Sequence, residues 1–164
     1  MEKKITYTKE AVEYLAKLAD GGMRDALTML DKCLAYSDEL TLENVIIALG
    51  IANYDMMCDL LHAYSCDNTK EMVSIINDVY MSGYDLKQFI KSFTNFTLDL
   101  NKYLLGADKY LECPLNDRIR EVFDNFDLDA NKLLTSLIKL QTDIKWDTNP
   151  KSTIEAWCIT KGEV

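Results

Sequence analysis

Apolar residues recur at helical spacing along most of the 164-residue chain. A first run predicts a helix over residues 8–19, with Thr8 as its N-cap. A second run predicts a helix over residues 23–36, and a third predicts a short helix over residues 42–49, preceded by the cap Thr41. The expected apolar faces of the first two helices are Val12, Leu15, Ala16 and Ala19, and Met23, Ala26, Leu27, Leu30 and Leu34.

The rest of the chain carries six more apolar runs of helical period. Gly50 to Tyr54 is the expected boundary between two domains. The runs beyond it are separated by typical helix-ending or loop residues: Cys66-Asp67-Asn68, Gly83, Gly106 and a loop through Pro114. Asn149-Pro150 is an N-cap and first-turn pair that opens the last helix. Two of these helices are long, residues 85–105 and 129–145, with Asp85 capping the first and Asp127 or Asp129 the second. Because no alternating β-type run is present, the predicted fold class is all-α.

The composition is typical of a globular protein, with 48% apolar and 27% charged residues. The sequence shows neither a run of about 18 apolar residues nor the apolar core of a signal peptide, which predicts a cytoplasmic protein without a membrane span. Sequence-independent binding to nucleic acid depends on Lys and Arg that neutralise phosphates. The net charge of −9 therefore favours protein partners for this chain by itself.

Side chains with reactive or metal-binding chemistry are scattered. The five cysteines lack a CxxC pair and are odd in number, so we interpret them as reduced, buried thiols (Cys33, Cys58, Cys66, Cys113, Cys158). His62 is the only histidine, and we expect it to be a partly buried structural residue. Asp124, Asp127 and Asp129 lack the glycine and distal glutamate of an EF-hand, which favours helix-end capping over calcium binding. The sequence predicts neither a catalytic nor a metal site.

The stretch from Leu18 to Leu30 carries the most distinctive pattern. Asp20-Gly21-Gly22 is a turn signal, and Asp20 is a plausible cap for the helix that follows. Arg24 then falls in the first turn, where the helix dipole is positive and a cation is disfavoured by about 0.3–1 kcal/mol. Such an arginine is either neutralised locally, by Asp20 or Asp25, or placed to meet an incoming anion.

The frame Gly-Gly-Met-Arg-Asp-Ala-Leu at residues 21–27 resembles the sensor-2 motif of AAA+ clamp-loader ATPases, in particular the gamma/tau subunits of bacterial DNA polymerase III. In that family the arginine of this motif contacts the nucleotide phosphates. The resemblance thus implies a nucleotide-sensing role for Arg24, supported by Gly21, Gly22, Met23 and Asp25. Residues 81–89 and 149–155 resemble the family's collar domain more weakly, and Lys151 stands where the family usually has arginine.

The resemblance also implies a domain order and a set of partners. A small three-helix lid would occupy residues 1–50, and a helical-bundle collar that joins subunits into a ring would occupy residues 51–164. The implied partners are other gamma/tau copies and the delta and delta-prime subunits, with the sliding clamp and DNA reached only through the full assembly. The long helices carry the most apolar surface, so the oligomerisation interface is expected there, and its candidates are Phe89, Phe93, Leu137 and Trp157. The pattern does not separate core residues from interface residues.

The sequence lacks the residues that hydrolyse ATP. None of the six glycines stands in a GxxxxGK[ST] frame, and no apolar run ends in a carboxylate pair that could hold Mg²⁺. We therefore expect a non-catalytic chain without a cofactor of its own, while ATP and Mg²⁺ belong to the intact subunit. One alternative is a stand-alone helical interaction adaptor, which gives no reason for the Arg24 frame. Another is a related AAA+ protein, such as a delta-prime subunit or a helicase loader.

Overall fold

A computed structural model describes residues 4–49 and 54–163, and the chain divides into two compact units, residues 1–51 and 52–164. In the described part, the first unit contains β1 (Thr6–Tyr7), α1 (Lys9–Leu18), α2 (Met23–Tyr36), β2 (Glu39–Leu40) and α3 (Leu42–Leu49). The second unit contains α4 (Tyr54–Ser65), α5 (Thr69–Met81), α6 (Leu86–Leu104), α7 (Asp117–Asp124), α8 (Ala130–Ile144) and α9 (Pro150–Thr160), with a single 3₁₀ turn at Asp108–Tyr110. The predicted all-α class is confirmed.

A short parallel strand pair in the first unit was not predicted. Thr6 pairs with Glu39 and Tyr7 pairs with Leu40, which joins the segment before α1 to the segment before α3. The Thr8 N–H extends the pairing by donating to the Leu40 carbonyl at 3.0 Å. Strands of two residues are too short for an alternating pattern, so the sequence carried no signal for them.

Two helices of the first unit, α1 and α3, begin where their caps predict. The Thr8 hydroxyl accepts the Ala11 N–H at 3.3 Å, and the Thr41 hydroxyl accepts the Asn44 N–H at 3.2 Å. Gly50, the predicted end of α3, lies outside the described residues. The core of this unit is small and consists of Ala11, Leu15, Cys33, Leu40 and Val45.

The predicted apolar face of α2 is only partly buried, with Met23 and Leu27 exposed and Ala26, Leu30 and Leu34 half-buried. Met23 is 74% exposed and Leu27 is exposed as well, whereas the buried position of this helix is Cys33. With residues from α1 and the strands, this face lines a groove of about 630 Å³, here called the α1–α2 groove. Its lining is entirely apolar in residue type: Ile5, Tyr7, Val12, Leu15, Ala16, Met23, Ala26, Leu27, Leu30, Leu34 and Leu40.

The long helix α6 lies at the centre of the second unit and packs against α5, α7, α8 and α9. Its predicted cap is confirmed, because the Asp85 carboxylate accepts the N–H groups of Lys87 and Gln88 at 2.8 and 3.2 Å. Of the two caps considered for α8, Asp129 fills the role by accepting the N–H groups of Asn131 and Lys132, each at 3.0 Å.

The start of α9 differs in detail from its prediction. Pro150 is the first helical residue, as expected, but the Asn149 side chain makes no capping bond to the backbone. Asp147 stabilises the N-terminal end of α9 instead, because its carboxylate accepts the Asn149 N–H at 2.8 Å and the Thr153 hydroxyl at 2.5 Å. The two bonds lower the pKa of the Asp147 carboxyl, since both stabilise its ionised form.

The four side chains proposed from the sequence as interface candidates all lie in the core of the second unit. Phe89, Phe93, Leu137 and Trp157 are 0–5% exposed. Side chains that fill the core of their own unit offer no surface to a neighbour, so these four assignments are corrected. An oligomerisation interface remains a prediction, and it has to involve other residues.

The described residues include no single helix that is long and apolar enough to cross a membrane.

Candidate functional site

The turn that joins α1 to α2 differs from the predicted arrangement. Asp20 adopts a left-handed conformation (φ +47°) and so does Gly21 (φ +79°), whereas Gly22 is the N-cap of α2 with φ −85° and ψ 105°. Asp20 therefore does not cap α2. Its N–H donates to the Lys17 carbonyl at 3.3 Å, so Asp20 belongs to the end of α1. Because two glycines follow it, Asp20 lies two positions too early to reach the first turn of α2.

Arg24 is exposed in the first turn of α2, two residues after the N-cap. Within residues 4–49 and 54–163, its guanidinium makes no hydrogen bond or ion pair, so it is paired with neither Asp20 nor Asp25. Only its backbone carbonyl is engaged, by the Thr28 hydroxyl at 2.9 Å. An unpaired cation beside the positive end of a helix dipole creates a local field suited to an anion.

Asp25 lies one position further along and folds back towards the start of the helix. A β-carbon built on Gly22 would lie 3.1 Å from Asp25 Oδ2 and 3.2 Å from the Ala19 carbonyl oxygen. The Asp25 carboxylate therefore occupies the space next to Gly22, where its charge complements the positive helix end.

Arg24 directly follows a residue of the α1–α2 groove. Met23 and Leu27 lie on the groove wall, and Arg24 is rotated by about 100° from Met23 around the helix axis. The first turn of α2 thus presents a cation and an apolar surface next to each other. This arrangement can bind an anionic group together with an apolar partner, and nothing in it resembles a nucleophile with an activating base.

The other candidate side chains do not assemble into a site. Across the described ranges, no group of three or more His, Cys, Asp and Glu residues could hold a metal ion. His62 is exposed, so the expected partial burial was wrong, and its Nε2 atom lies 3.7 Å from the Cys66 sulfur. Asp124 accepts the Tyr103 hydroxyl at 2.6 Å and so connects the end of α7 to α6.

All five cysteines are free thiols, as predicted, and four of them are buried: Cys33, Cys58, Cys113 and Cys158. Burial raises the pKa of Cys58 to about 11 and that of Cys158 to about 12, because an apolar environment disfavours the thiolate. Cys66 is exposed, which contradicts the expectation that every cysteine is buried.

Arg24 thus lies at the start of the second helix of a small helical unit, directly after a Gly-Gly turn and one further residue. A protein-family model, described as the ATPase lid domain of the DNA polymerase III clamp loader subunit, matches residues 1–39 of this chain. The chain is 25% identical to DNA polymerase III subunit tau of Bacillus subtilis over 150 residues, 88% of its length. It is 28% identical to the tau subunit of Escherichia coli over 85 residues, and 27% identical to Protein STICHEL-like 2 of Arabidopsis thaliana over 100 residues.

These matches confirm the resemblance to the gamma/tau subunits of the DNA polymerase III clamp loader that the Arg24 motif indicated. They cover 51% of the chain for the Escherichia coli protein and 61% for the Arabidopsis protein. The matched part of the chain spans only 27% of the length of the Bacillus subtilis protein, 13% of the Escherichia coli protein and 12% of the Arabidopsis protein.

Proposed function

We propose that this chain is the lid and collar part of a clamp-loader gamma/tau subunit and acts in sliding-clamp loading during DNA replication. The observation that carries the proposal is the unpaired Arg24 in the first turn of α2, within the part of the chain that the clamp-loader lid model matches. The likeness to a DNA polymerase III tau subunit over 88% of the chain supports extending the proposal to the second unit.

In this proposal Arg24 senses the nucleotide. A guanidinium presents several N–H donors in a planar fork, which suits the oxygens of a terminal phosphate. Because no described residue engages the Arg24 side chain, it can contact a phosphate without first breaking a bond within the chain. The sequence has no phosphate-binding loop, so ATP and Mg²⁺ would be held by the nucleotide-binding domain of the intact subunit.

The same domain would pack into the α1–α2 groove. Met23 and Arg24 are consecutive, so a body that covers the groove also lies next to the arginine. Covering the side chains of Met23 and Leu27 would stabilise that packing by roughly 1.5–3 kcal/mol for each fully buried residue. The groove would thereby link the position of the lid to the phosphate that Arg24 contacts.

The second unit would supply the assembly function, with other gamma/tau copies and the delta and delta-prime subunits as partners. Its exposed apolar side chains, rather than its core, are the surface available for such contacts, and they include Leu98, Leu105, Tyr110, Ile138, Trp146 and Ile159. The sliding clamp and DNA would be reached only through the complete assembly.

The test is Arg24→Ala, made in this chain and in the intact subunit. The melting temperature of the chain should hardly change, because an exposed side chain without a partner contributes within about 0.5 kcal/mol. ATP-dependent clamp loading should fall about 10- to 100-fold, since a hydrogen bond to a charged group is worth roughly 1.5–3 kcal/mol.

Lys32→Ala is the matched control, because it removes another exposed cation of α2 that lies beyond the first turn. It should leave both measurements unchanged. A large loss of stability in Arg24→Ala would identify Arg24 as a structural residue, and normal clamp loading would exclude it as the sensor.

A further inference from the structure

Trp146 is a large apolar side chain that lies outside the core of its own unit. It is 85% exposed and follows the end of α8, whereas Ile144, two residues earlier, is buried. Tryptophan often dominates the energy of a protein–protein contact, because its ring removes a large apolar area from water when a partner covers it. Trp146 is therefore a candidate anchor for a partner.

The backbone around Trp146 is held in place. The Lys87 side chain donates to the Lys145 carbonyl at 3.2 Å, and the Asp147 N–H donates to the Ile144 carbonyl at 3.1 Å. Lys145 Nζ lies 5.2 Å from the centre of the indole ring. The segment thus presents an indole and a neighbouring cation from an ordered backbone, so that a partner has less conformational entropy to remove.

A pocket of about 270 Å³ lies between α4 and α7, here called the α4–α7 pocket. Cys58, which is buried, and Val122, which is half-buried, contribute apolar surface to it. Asp59 and Glu121 also line it, and both are exposed. The pocket therefore offers an indole ring both apolar surface and nearby carboxylates.

The charge of the α4–α7 pocket is complementary to that of Lys145. Arg118 donates to Asp55 at 2.8 Å and to Asp59 at 2.5 Å, so its positive charge is compensated within the chain. Glu121 adds a third carboxylate beside these two. Three carboxylates around one guanidinium leave an excess of negative charge, which favours an approaching lysine.

Trp146 cannot reach the α4–α7 pocket of its own chain. It precedes α9 (Pro150–Thr160), a helix about 16 Å long. Beyond the far end of α9, Lys161 Nζ donates to the Tyr64 carbonyl at 3.4 Å, which places that end beside the last turn of α4. A contact between Trp146 and the pocket therefore has to join two copies. Because it uses a different surface on each copy, it is a head-to-tail contact, the type that can close into a ring.

We propose that Trp146 of one copy of this chain inserts into the α4–α7 pocket of the next copy, where Lys145 meets the carboxylate of Glu121. This inference rests on the proposed function, which names further gamma/tau copies as partners of the second unit. It assigns to that assembly one protruding surface and one receiving surface on each copy.

The test is sedimentation velocity of the chain over a range of concentrations. The wild-type chain should associate, and Trp146→Ala should raise the dissociation constant about 30-fold, the effect of losing an interface anchor. Leu105→Ala is the matched control, because it removes another apolar side chain that is 84% exposed, and it should leave the dissociation constant unchanged. Equal effects of the two variants would overturn Trp146 as the anchor.

A charge exchange tests which surface receives Trp146. Lys145→Glu and Glu121→Lys should each weaken association about two- to fivefold, as expected for an exposed ion pair. The two substitutions in one chain should restore it, because the exchanged charges meet across the contact. Lys145→Glu/Asp108→Lys is the control and should not restore it, since Asp108 is an exposed acid outside the pocket.

Iodide quenching of tryptophan fluorescence gives a direct readout of burial. In the dilute, unassociated chain iodide should quench Trp146, and raising the protein concentration should protect it. Trp157 is 5% exposed and should contribute little to the quenching at either concentration. Association that leaves Trp146 open to iodide would overturn the proposal.

Two further outcomes contradict the proposal: a wild-type chain that stays monomeric at every concentration, and an exchange of charges that fails to restore association. Neither outcome affects the role of Arg24, so the proposed function would stand as long as Arg24→Ala impairs clamp loading. Normal clamp loading in Arg24→Ala would instead overturn the proposed function, whatever the chain does in the centrifuge.

Discussion

Asp99 is a charged residue in the interior of the second unit. It lies on α6 and is 2% exposed. Its carboxylate accepts the Glu112 N–H at 3.1 Å and the Cys113 N–H at 2.8 Å, and lies 3.4 Å from Lys102 Nζ. The carboxylate thereby fixes the loop before α7 against the central helix by accepting two backbone N–H groups of that loop.

Replacing Asp99 with Asn should destabilise the second unit by about 1–3 kcal/mol, although the shape of the side chain is kept. The amide group brings two N–H donors towards backbone N–H donors and removes the charge that strengthens the existing bonds. Urea denaturation measures the change. Asp143→Asn, an exposed acid on α8, should cost less than about 0.5 kcal/mol, and equal losses in the two variants would contradict this role for Asp99.

At the scale of the element, α6 shows what helical periodicity predicts well. The helix buries a wide face in one continuous core, and Phe89, Phe93 and Phe96 recur on that face at helical spacing. The rings of Phe89 and Phe93 lie nearly parallel, with centroids 6.5 Å apart. The pattern could not show whether that core also served as an interface, because both uses require apolar residues at the same spacing.

Phe93→Ala should cost about 3–5 kcal/mol, because Phe93 is fully buried and its removal leaves a cavity at the centre of the unit. The free energy of unfolding of the second unit, from chemical denaturation, is the quantity to compare. Leu98→Ala on the same helix is the matched control and should cost less than about 1 kcal/mol, since Leu98 is 41% exposed. A near-zero effect of Phe93→Ala would move that ring to the surface.

The helix α2 shows where periodicity fails. Its apolar face was found correctly from the sequence, but its burial was not, because the period identifies a face and not what covers it.

The placement of Arg24 in the first turn followed from the Gly-Gly turn signal. The position of the Asp25 carboxylate against Gly22 did not, since it depends on a side-chain torsion that no pattern encodes. The assignment of Asp20 as a cap was wrong because the helix begins two residues later.

At the scale of the whole molecule, each unit has a hydrophobic core of its own. Among the described residues, the core cluster of the first unit has five buried members, and that of the second spans α4 to α9. A small core surrounded by a large exposed surface gives a low net stability. The first unit also carries the open α1–α2 groove, whose exposed apolar side chains contribute nothing to its stability.

We expect the two units to unfold separately, the first at the lower temperature. Thermal melting of the chain, followed by far-UV circular dichroism, should show two transitions. Residues 54–163 expressed alone should reproduce the upper one, and Phe93→Ala should lower only that transition. A single transition that Phe93→Ala shifts as a whole would show that the units unfold as one.

The two tryptophans make the second unit optically distinct from the first. Residues 1–51 contain no tryptophan, Trp146 is 85% exposed, and Trp157 lies in the core with its indole N–H donating to Ser136 at 3.2 Å. Iodide should quench Trp146 in the native protein, whereas the emission of Trp157 should shift to the red only when the helical bundle opens. Intrinsic fluorescence therefore follows the second unit alone, and the wild-type chain already carries a spectroscopic probe that does not detect melting of the first unit.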